Sequence, residues 1–344
     1  VPGGDDRTLV VASANVHAGV RRTGEPFDVT AAALRFDADV TVLQEVWWPR
    51  DEASPVAPLA AAVGGWWTWV PGGSGTRWQP GDRRGRGGLG ASPVWLDNPA
   101  DADSPIGASC RRSDRTGGRR APGGRRPPAG RPAVSAAQQP RPSGPRGVIG
   151  TAVVGRLPLL GRRVVTLPPL RRDRARRSVL VLTVAVGGRP VILAATHMAH
   201  LSQGSLRHFG LVRRCLQPGG WDDRFPAVPQ ETPGGKWPGG LELGTDLDRS
   251  AGPSALLAGM SGGMAGRPAG AVLVGDFNLW GATMGWVLPG WRRAVVGRTW
   301  PAEWPVVQPD HILVRGALEV VHGEVLVPTG SDHRPVRAVL RAVG

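Results

Sequence analysis

A carboxylate and an amide stand one residue apart in Ala271-Val272-Leu273-Val274-Gly275-Asp276-Phe277-Asn278, directly behind four apolar residues. Side chains alternate along a strand, so a buried strand here would deliver Asp276 and Asn278 to one face at its end. Such a pair can act on a bound group, or it can cap a following helix by accepting free backbone N–H groups. Recurrence favours the first reading. Asn15 and His17 follow an apolar run at 9–14, Gln44-Glu45 follows one at 40–43, and Thr196-His197 follows one at 191–195. Asp310-His311 opens the run 312–314, and Ser331-Asp332-His333-Arg334-Pro335 precedes the run 336–340.

Asn15, Glu45, His197, Asp276, Asn278, Asp310, Asp332 and His333 together offer hard oxygen donors and two imidazoles, with no nucleophilic Ser or Cys motif. Oxygen donors of this kind suit Mg²⁺, with Mn²⁺ as the alternative. A carboxylate beside a histidine orients the ring and stabilises its cation. The combined chemistry is metal-assisted attack of water on a phosphoester. His333 is read as part of it. Alternation turns His311 away from Asp310, so His311 is read as structural.

The elements that must position these groups are legible in outline. A strand at 9–14, a helix over 29–36 with Asp28 as its N-cap, and a strand at 40–43 follow one another. If the two strands run parallel, Asn15 and Glu45 emerge at one sheet edge. A helix is expected over 58–63, amid Trp47, Trp48, Trp66, Trp67 and Trp69, which are read as core rather than as stacking platforms. Strands follow at 147–156, 164–167, 179–186 and 191–195, the last two joined by the hairpin signal Gly187-Gly188. This second group is expected to be antiparallel. A helix over 204–216 should carry Leu206, Phe209, Leu211 and Val212 inward, and another is expected near 282–288.

Two stretches lack any hydrophobic period, 72–146 and 217–270, and are read as insertions in a single domain spanning 7–344. Between Arg111 and Arg146 there are ten Arg against one acid, Asp114. Apolar content there is too low to offset ordering entropy. Three readings stand: an electrostatic arm for nucleic acid, a solvated low-complexity loop, and a misread coding frame. The formal charge of +15 carries less than it suggests, because no Tyr, one Lys (Lys236) and three Asn beside abundant Arg, Gly, Pro and Ala reflect GC-rich coding. Two cysteines, Cys110 and Cys215, indicate neither a disulfide framework nor a zinc site. No stretch is long and apolar enough for a membrane span, and residues 1–6 do not read as a signal peptide, so a soluble cytoplasmic protein is expected, with no obligate protein partner indicated.

Seven motifs in order resemble the endonuclease/exonuclease/phosphatase superfamily, which has the DNase I-like fold. They are SANVHAG (13–19), LQEV (43–46), GTAVVGRLPL (150–159), ATH (195–197), GDFN (275–278), PDHILV (309–314) and SDHRPV (331–336). The resemblance implies a four-layer α/β/β/α sandwich, two packed mixed β-sheets flanked by helices, with the active site where strand ends of both sheets meet. It implies that Glu45 is the principal Mg²⁺ ligand with Asn15 beside it and Asp332 near the metal. Asp276 would orient or deprotonate water, Asn278 hold the phosphate and that water, and His333 bind the scissile phosphate with Asp310 paired to it. His197 matches a histidine of the DNase-like and sphingomyelinase-like branches, and His17 and Arg156 are expected to bind substrate. Two departures stand out: Gly155 replaces the usual Ser or Thr before Arg156, and the absent tyrosine argues against a close abasic-site endonuclease. The expected partner is a phosphoester, with a nuclease-like substrate favoured. A lipid or small-molecule phosphoesterase, sphingomyelinase-like or inositol phosphatase-like, is the alternative within the family. A non-catalytic nucleic-acid-binding protein is the alternative outside it.

Overall fold

Alternation of apolar residues builds two sheets that bury one face of each strand against the other sheet. A computed structural model describes residues 7–78, 93–97, 143–173, 175–216 and 268–343. The first sheet contains β1 (Thr8–Asn15), β2 (Val40–Pro49), β3 (Trp66–Arg77), β4 (Val94–Leu96), β5 (Arg146–Gly155), β12 (Leu318–Val325) and β13 (Val336–Ala342). The second contains β6 (Leu159–Thr166), β7 (Ser178–Val186), β8 (Arg189–His197), β9 (Gly270–Asp276), β10 (Arg292–Arg293) and β11 (Asp310–Gly316). Their orders are β12-β13-β1-β2-β5-β3-β4 and β10-β11-β9-β8-β7-β6. Each sheet has one parallel pair, β1 with β2 and β8 with β9, flanked on both sides by antiparallel strands.

Three hydrophobic clusters define four layers. Leu9, Val11, Val40 and Val42 meet Leu193, Val272, Val274 and Ile312 between the sheets. On the outer face of the first sheet, Ala12, Leu43 and Ala152 pack with Ala33, Leu59 and Ala60 from α1 (Val29–Leu34) and α2 (Ala57–Ala62). On the outer face of the second, Val181, Ala194 and Leu273 pack with Phe209, Val212 and Met284 from α3 (Leu206–Cys215) and α4 (Met284–Val287). Each buried aliphatic contributes roughly 1.5–3 kcal/mol, so slipping a strand by one residue would turn its whole inner row outward. The fold is the expected four-layer sandwich.

Several local expectations match. Asp28 caps α1 by accepting from the Ala31 N–H, and Gly187 and Gly188 both take positive φ in the β7–β8 turn. Of the five tryptophans, Trp47 and Trp69 are buried and Trp48, Trp66 and Trp67 are half-buried against the core; rings of Trp47, Trp69 and Trp66 lie against Gly147, Gly150 and Gly155 of β5, where any Cβ would collide with them. Other expectations change. The strand at 147–156 joins the first sheet, between β2 and β3, not the antiparallel group of the second. Strand β12 has no clear alternation and was not expected; backbone pairing to β13 forms it. Leu206 is exposed because it opens α3 on the solvent side, while Phe209 and Val212 point inward. The first insertion also begins later than 72, since β3 pairs with β5 as far as Thr76↔Arg146 and with β4. That pairing needs backbone groups rather than a hydrophobic period. Residues 98–142 and 217–267, including Cys110, lie outside the described residues.

Candidate active site

The inner rows that form the inter-sheet core end in polar groups. Val272 and Val274 lead to Asp276 on β9, Leu193 and Ala195 to His197 on β8, and Leu9 and Val11 through Ser13 to Asn15 on β1. Strand β11 runs the other way, so Val314 and Ile312 lead back to Asp310, directly opposite Asp276. Between core and site, buried Ser13 and Gln44 share a hydrogen bond, Gln44 Nε2 donating to Ser13 Oγ at 3.1 Å. Strand β2 departs from the regular pattern. Its pairing with β5 skips from Leu43↔Ala152 to Val46↔Gly150, and within this bulge Glu45 adopts φ 55°. The bulge re-aims Glu45 to the face that Gln44 already occupies.

Asn15 bridges the two sheets: its Nδ2 donates to Glu45 Oε1 at 3.2 Å and to Asp276 Oδ2 at 3.1 Å. Asp276 Oδ1 accepts the Asn278 N–H at 2.8 Å, closing a turn in which Asn278 has φ 49°. This turn, rather than alternation, brings Asn278 into the site, where its Nδ2 donates to the Met198 carbonyl at 2.8 Å and lies 3.4 Å from His197 Nε2. Gly275 makes the approach possible: at φ 145° any Cβ would run into the Thr196 carbonyl.

A second set of bonds fixes His333. Its Nδ1 lies 2.8 Å from Asp310 Oδ2, which also accepts from Thr299 Oγ1 at 2.6 Å. His333 Nε2 then faces Asp276 Oδ2 at 3.9 Å, and His197 Nε2 lies 3.7 Å from the same oxygen and 3.9 Å from Glu45 Oε1. Asp332 Oδ2 accepts from Trp300 Nε1 at 3.3 Å, and Ser331 Oγ donates to the Asn15 carbonyl at 2.6 Å. His17 Nδ1 is 3.0 Å from the Val20 carbonyl and 4.0 Å from Asp332 Oδ1. His311 is buried on the outer face and bonds the Leu279 carbonyl at 3.0 Å, clear of this cluster.

Electrostatics separate the two imidazoles. Burial alone would lower His333, but the charge of Asp310, the hydrogen bond to it and the charges of Asp276 and Asp332 raise it to about 10. Burial and the charge of Arg177 instead lower His197 to about 4. Burial also opposes ionisation of Asp276, yet His333, His197 and the bonds from Asn278 and Asn15 hold it below the usual carboxylate range. At neutral pH the site therefore contains an imidazolium, a neutral imidazole and an ionised Asp276.

Asn15, His17, Glu45, His197, Asp276, Asn278, Asp332 and His333 line one cleft of about 630 Å³, with Asp310 behind His333. Arg156 does not join them. Strand β5 is antiparallel to β2, Gly155 pairing with Val40, so Arg156 emerges at the opposite end of the sandwich from Glu45. There it meets Asp39 Oδ1 at 2.8 Å and Asp37 Oδ1 at 3.7 Å. Thr299 and Trp300, which hold Asp310 and Asp332, carry no distinctive spacing in the sequence, whereas Ser331, which bonds the Asn15 carbonyl, stands in the motif SDHRPV. Arg172, Arg176 and Arg177, which line one wall of the cleft, belong to the arginine-rich run 171–177, whose charge density was a signal that was missed.

Residues that could take a divalent cation fall into two sets. Asp276, Asp310 and His333 offer ligand atoms within 4.8 Å of one another. Their hydrogen bonds and the imidazolium state of His333 make them a proton-holding dyad with a neighbouring carboxylate, which is poorly suited to a second cation. Glu45 differs: its Oε2 is buried with no hydrogen-bond partner, and its Oε1 accepts from the neutral Asn15 amide and lies 3.9 Å from His197 Nε2, whose ring is kept neutral by burial. Glu45, bonded by Asn15 and lining the same cleft as Asp332, is the better fit for a hard cation.

Comparison with solved structures gives the same architecture. An endonuclease/exonuclease/phosphatase from Beutenbergia cavernae superposes with TM-score 0.53 at 20% identity, over 98% of this chain and 72% of that one. A family protein from Leptotrichia buccalis gives TM-score 0.51 at 11% identity, over 97% and 99% of the two chains. One from Bacteroides thetaiotaomicron gives 0.50 at 13% identity, over 98% of each. No curated protein sequence matches the chain significantly. The family profile described as Endonuclease/Exonuclease/phosphatase family matches residues 12–333, nearly the whole chain and every strand-end motif, so the chain belongs to this family of phosphoester hydrolases.

Proposed function

We propose that the protein is a divalent-metal-dependent phosphodiesterase, using Mg²⁺ or Mn²⁺, with a nuclease-like substrate. The observation that carries this reading is Asp276: a buried, ionised carboxylate oriented through both oxygens and facing an imidazolium. Asp276 is suited to orient an attacking water and receive its proton. His333 Nδ1 is committed to Asp310, so Nε2–H is left to bind a phosphoryl oxygen and offset the charge that grows there. The Asn278 amide, held by the Met198 carbonyl, and neutral His197 flank the same position and would orient the phosphate. Asn15 keeps Glu45 and Asp276 in register across the two sheets. Glu45, Asn15 and Asp332 would hold the cation, which when bound supplies Lewis acidity toward the phosphoryl oxygen.

Hydrolysis of bis(4-nitrophenyl) phosphate tests the reading. Turnover is expected with Mg²⁺ and its loss with EDTA, and Asp276→Asn or His333→Ala should lower kcat about a hundredfold or more. Turnover within about threefold of wild type in both folded variants would falsify the assignment.

A further inference from the structure

The catalytic floor and one wall of the cleft carry opposite charge. Glu45, Asp276 and Asp332 lie on the floor, whereas Arg172, Arg176 and Arg177 line the wall. That wall belongs to the loop between β6 and β7, where residues 171–177 hold five arginines and one carboxylate, Asp173. The carboxylate is fully engaged: Arg177 Nε donates to Asp173 Oδ2 at 2.7 Å and Arg177 Nη2 to Asp173 Oδ1 at 3.3 Å, both side chains largely buried. Arg177 Nη1 also donates to the His197 carbonyl at 3.4 Å, which ties the loop to the backbone of a site residue.

Two further bonds hold the loop in place. The Arg176 N–H donates to the Gly72 carbonyl at 2.5 Å. Gln203 accepts the His200 N–H at 3.0 Å and donates to the Arg172 carbonyl at 3.3 Å, stapling the loop to the turn after β8. Arg177 engages both oxygens of Asp173, and exposed Arg172 faces the cleft beside His200 and Gln203.

Resting on the phosphodiesterase reading, we propose that this wall is a subsite for a second phosphate of the substrate, beside the one that is cleaved. The scissile phosphate has its own cation in His333, and Arg172 is a second cation lining the same cleft. A guanidinium presents two parallel N–H donors to a phosphate, and at a half-exposed position this contact suits an added anion of the same molecule. The ligand chemistry is a phosphoester with at least two phosphates, which either a nucleic-acid strand or a small polyphosphorylated compound supplies.

The test compares wild type, Arg172→Gln and Arg172→Lys on three substrates: bis(4-nitrophenyl) phosphate, a short single-stranded oligonucleotide and glycerophosphoinositol 4-phosphate, a small phosphodiester carrying a second phosphate. Arg172→Gln should raise KM for a multi-phosphate substrate roughly three- to tenfold relative to its KM for the single-phosphate reporter, with kcat little changed. Arg172→Lys should recover part of that loss, and the wild-type salt dependence should flatten in Arg172→Gln. Whichever of the two multi-phosphate substrates responds identifies the source. An equal change on all three, no change on any, or turnover of the reporter alone would overturn the subsite. Failure of wild type to hydrolyse the reporter with Mg²⁺ would instead remove the phosphodiesterase reading.

Discussion

The two sheet ends that meet in the cleft are built alike and finished differently. Each presents a parallel pair, β1 with β2 and β8 with β9, and an antiparallel neighbour that returns a carboxylate to the same place. At the second sheet the register runs unbroken, Asp276 faces Asp310, and both Asp276 oxygens are hydrogen-bonded. Asp310 keeps one oxygen without a partner, but its other oxygen already holds Thr299 and the imidazolium of His333. At the first sheet a bulge lifts Glu45 to φ 55°, one of its oxygens is buried without a partner, and the other meets the Asn15 amide and, at 3.9 Å, His197 Nε2. On the proposed reading, the difference separates what the chain organises for itself from what it would leave for a bound cation to complete. Proton handling is preorganised on one sheet, while charge on the other is uncompensated.

The largest expected effect breaks the preorganised half. Asp276→Asn should cost about 10²–10⁴ in kcat at saturating metal, while the metal concentration for half-maximal activity changes little. Steady-state kinetics over a metal titration separate the two parameters, and a large shift in metal requirement would mean that Asp276 belongs with Glu45 instead. Next in size is Gly275→Ala, which forces a Cβ toward the Thr196 carbonyl at φ 145° and should destabilise the fold by about 3 kcal/mol in urea unfolding. Gly161→Ala in β6 is the control, since its Cβ would meet only Thr183 at ordinary contact distance.

The incomplete half predicts the opposite pattern. Glu45→Gln removes the uncompensated charge, so the variant should need about 10–100-fold more metal for half-maximal activity yet lose no stability without it. Thermal unfolding sharpens this: metal at about a hundred times its dissociation constant should stabilise wild type by about 2.7 kcal/mol, and the same concentration should stabilise Glu45→Gln by only about 0.4–1.4 kcal/mol. Equal metal-induced shifts in both proteins would place the cation elsewhere.

How much of this was legible in the sequence follows from which groups sit on regular strands. Asp276, His197 and Asn15 extend an inner apolar row, so alternation alone points them toward the cleft. Glu45 and Asn278 reach it through a bulge and a turn with positive φ, which alternation does not encode; their motifs marked them, not their period. Thr299 and Trp300 act through contacts more than ten residues away and had no local signal, and Ser331, though inside the motif SDHRPV, reaches the Asn15 carbonyl only through the fold. Strand β12 escaped notice because its residues are mostly half-exposed and its pairing with β13 shifts register at Val320/His322. The wall at 171–177 was visible as charge, but only the fold shows that its single carboxylate is consumed internally.

The smallest expected effect concerns Arg156, which the motif at 150–159 suggested for substrate binding. An antiparallel strand carries its two ends to opposite edges, and the Gly150 end of β5 lies at the cleft while the Gly155 end lies beside Val40. Arg156 is 42% exposed where it meets Asp39 and Asp37, so the pair is largely screened by solvent. Arg156→Ala should therefore change stability by less than about 1 kcal/mol and kcat/KM by less than about twofold, measured on the same phosphodiester as Asp276→Asn. A tenfold loss of kcat/KM without loss of fold would show that the far end communicates with the site, and the division of labour would then have to include a third region.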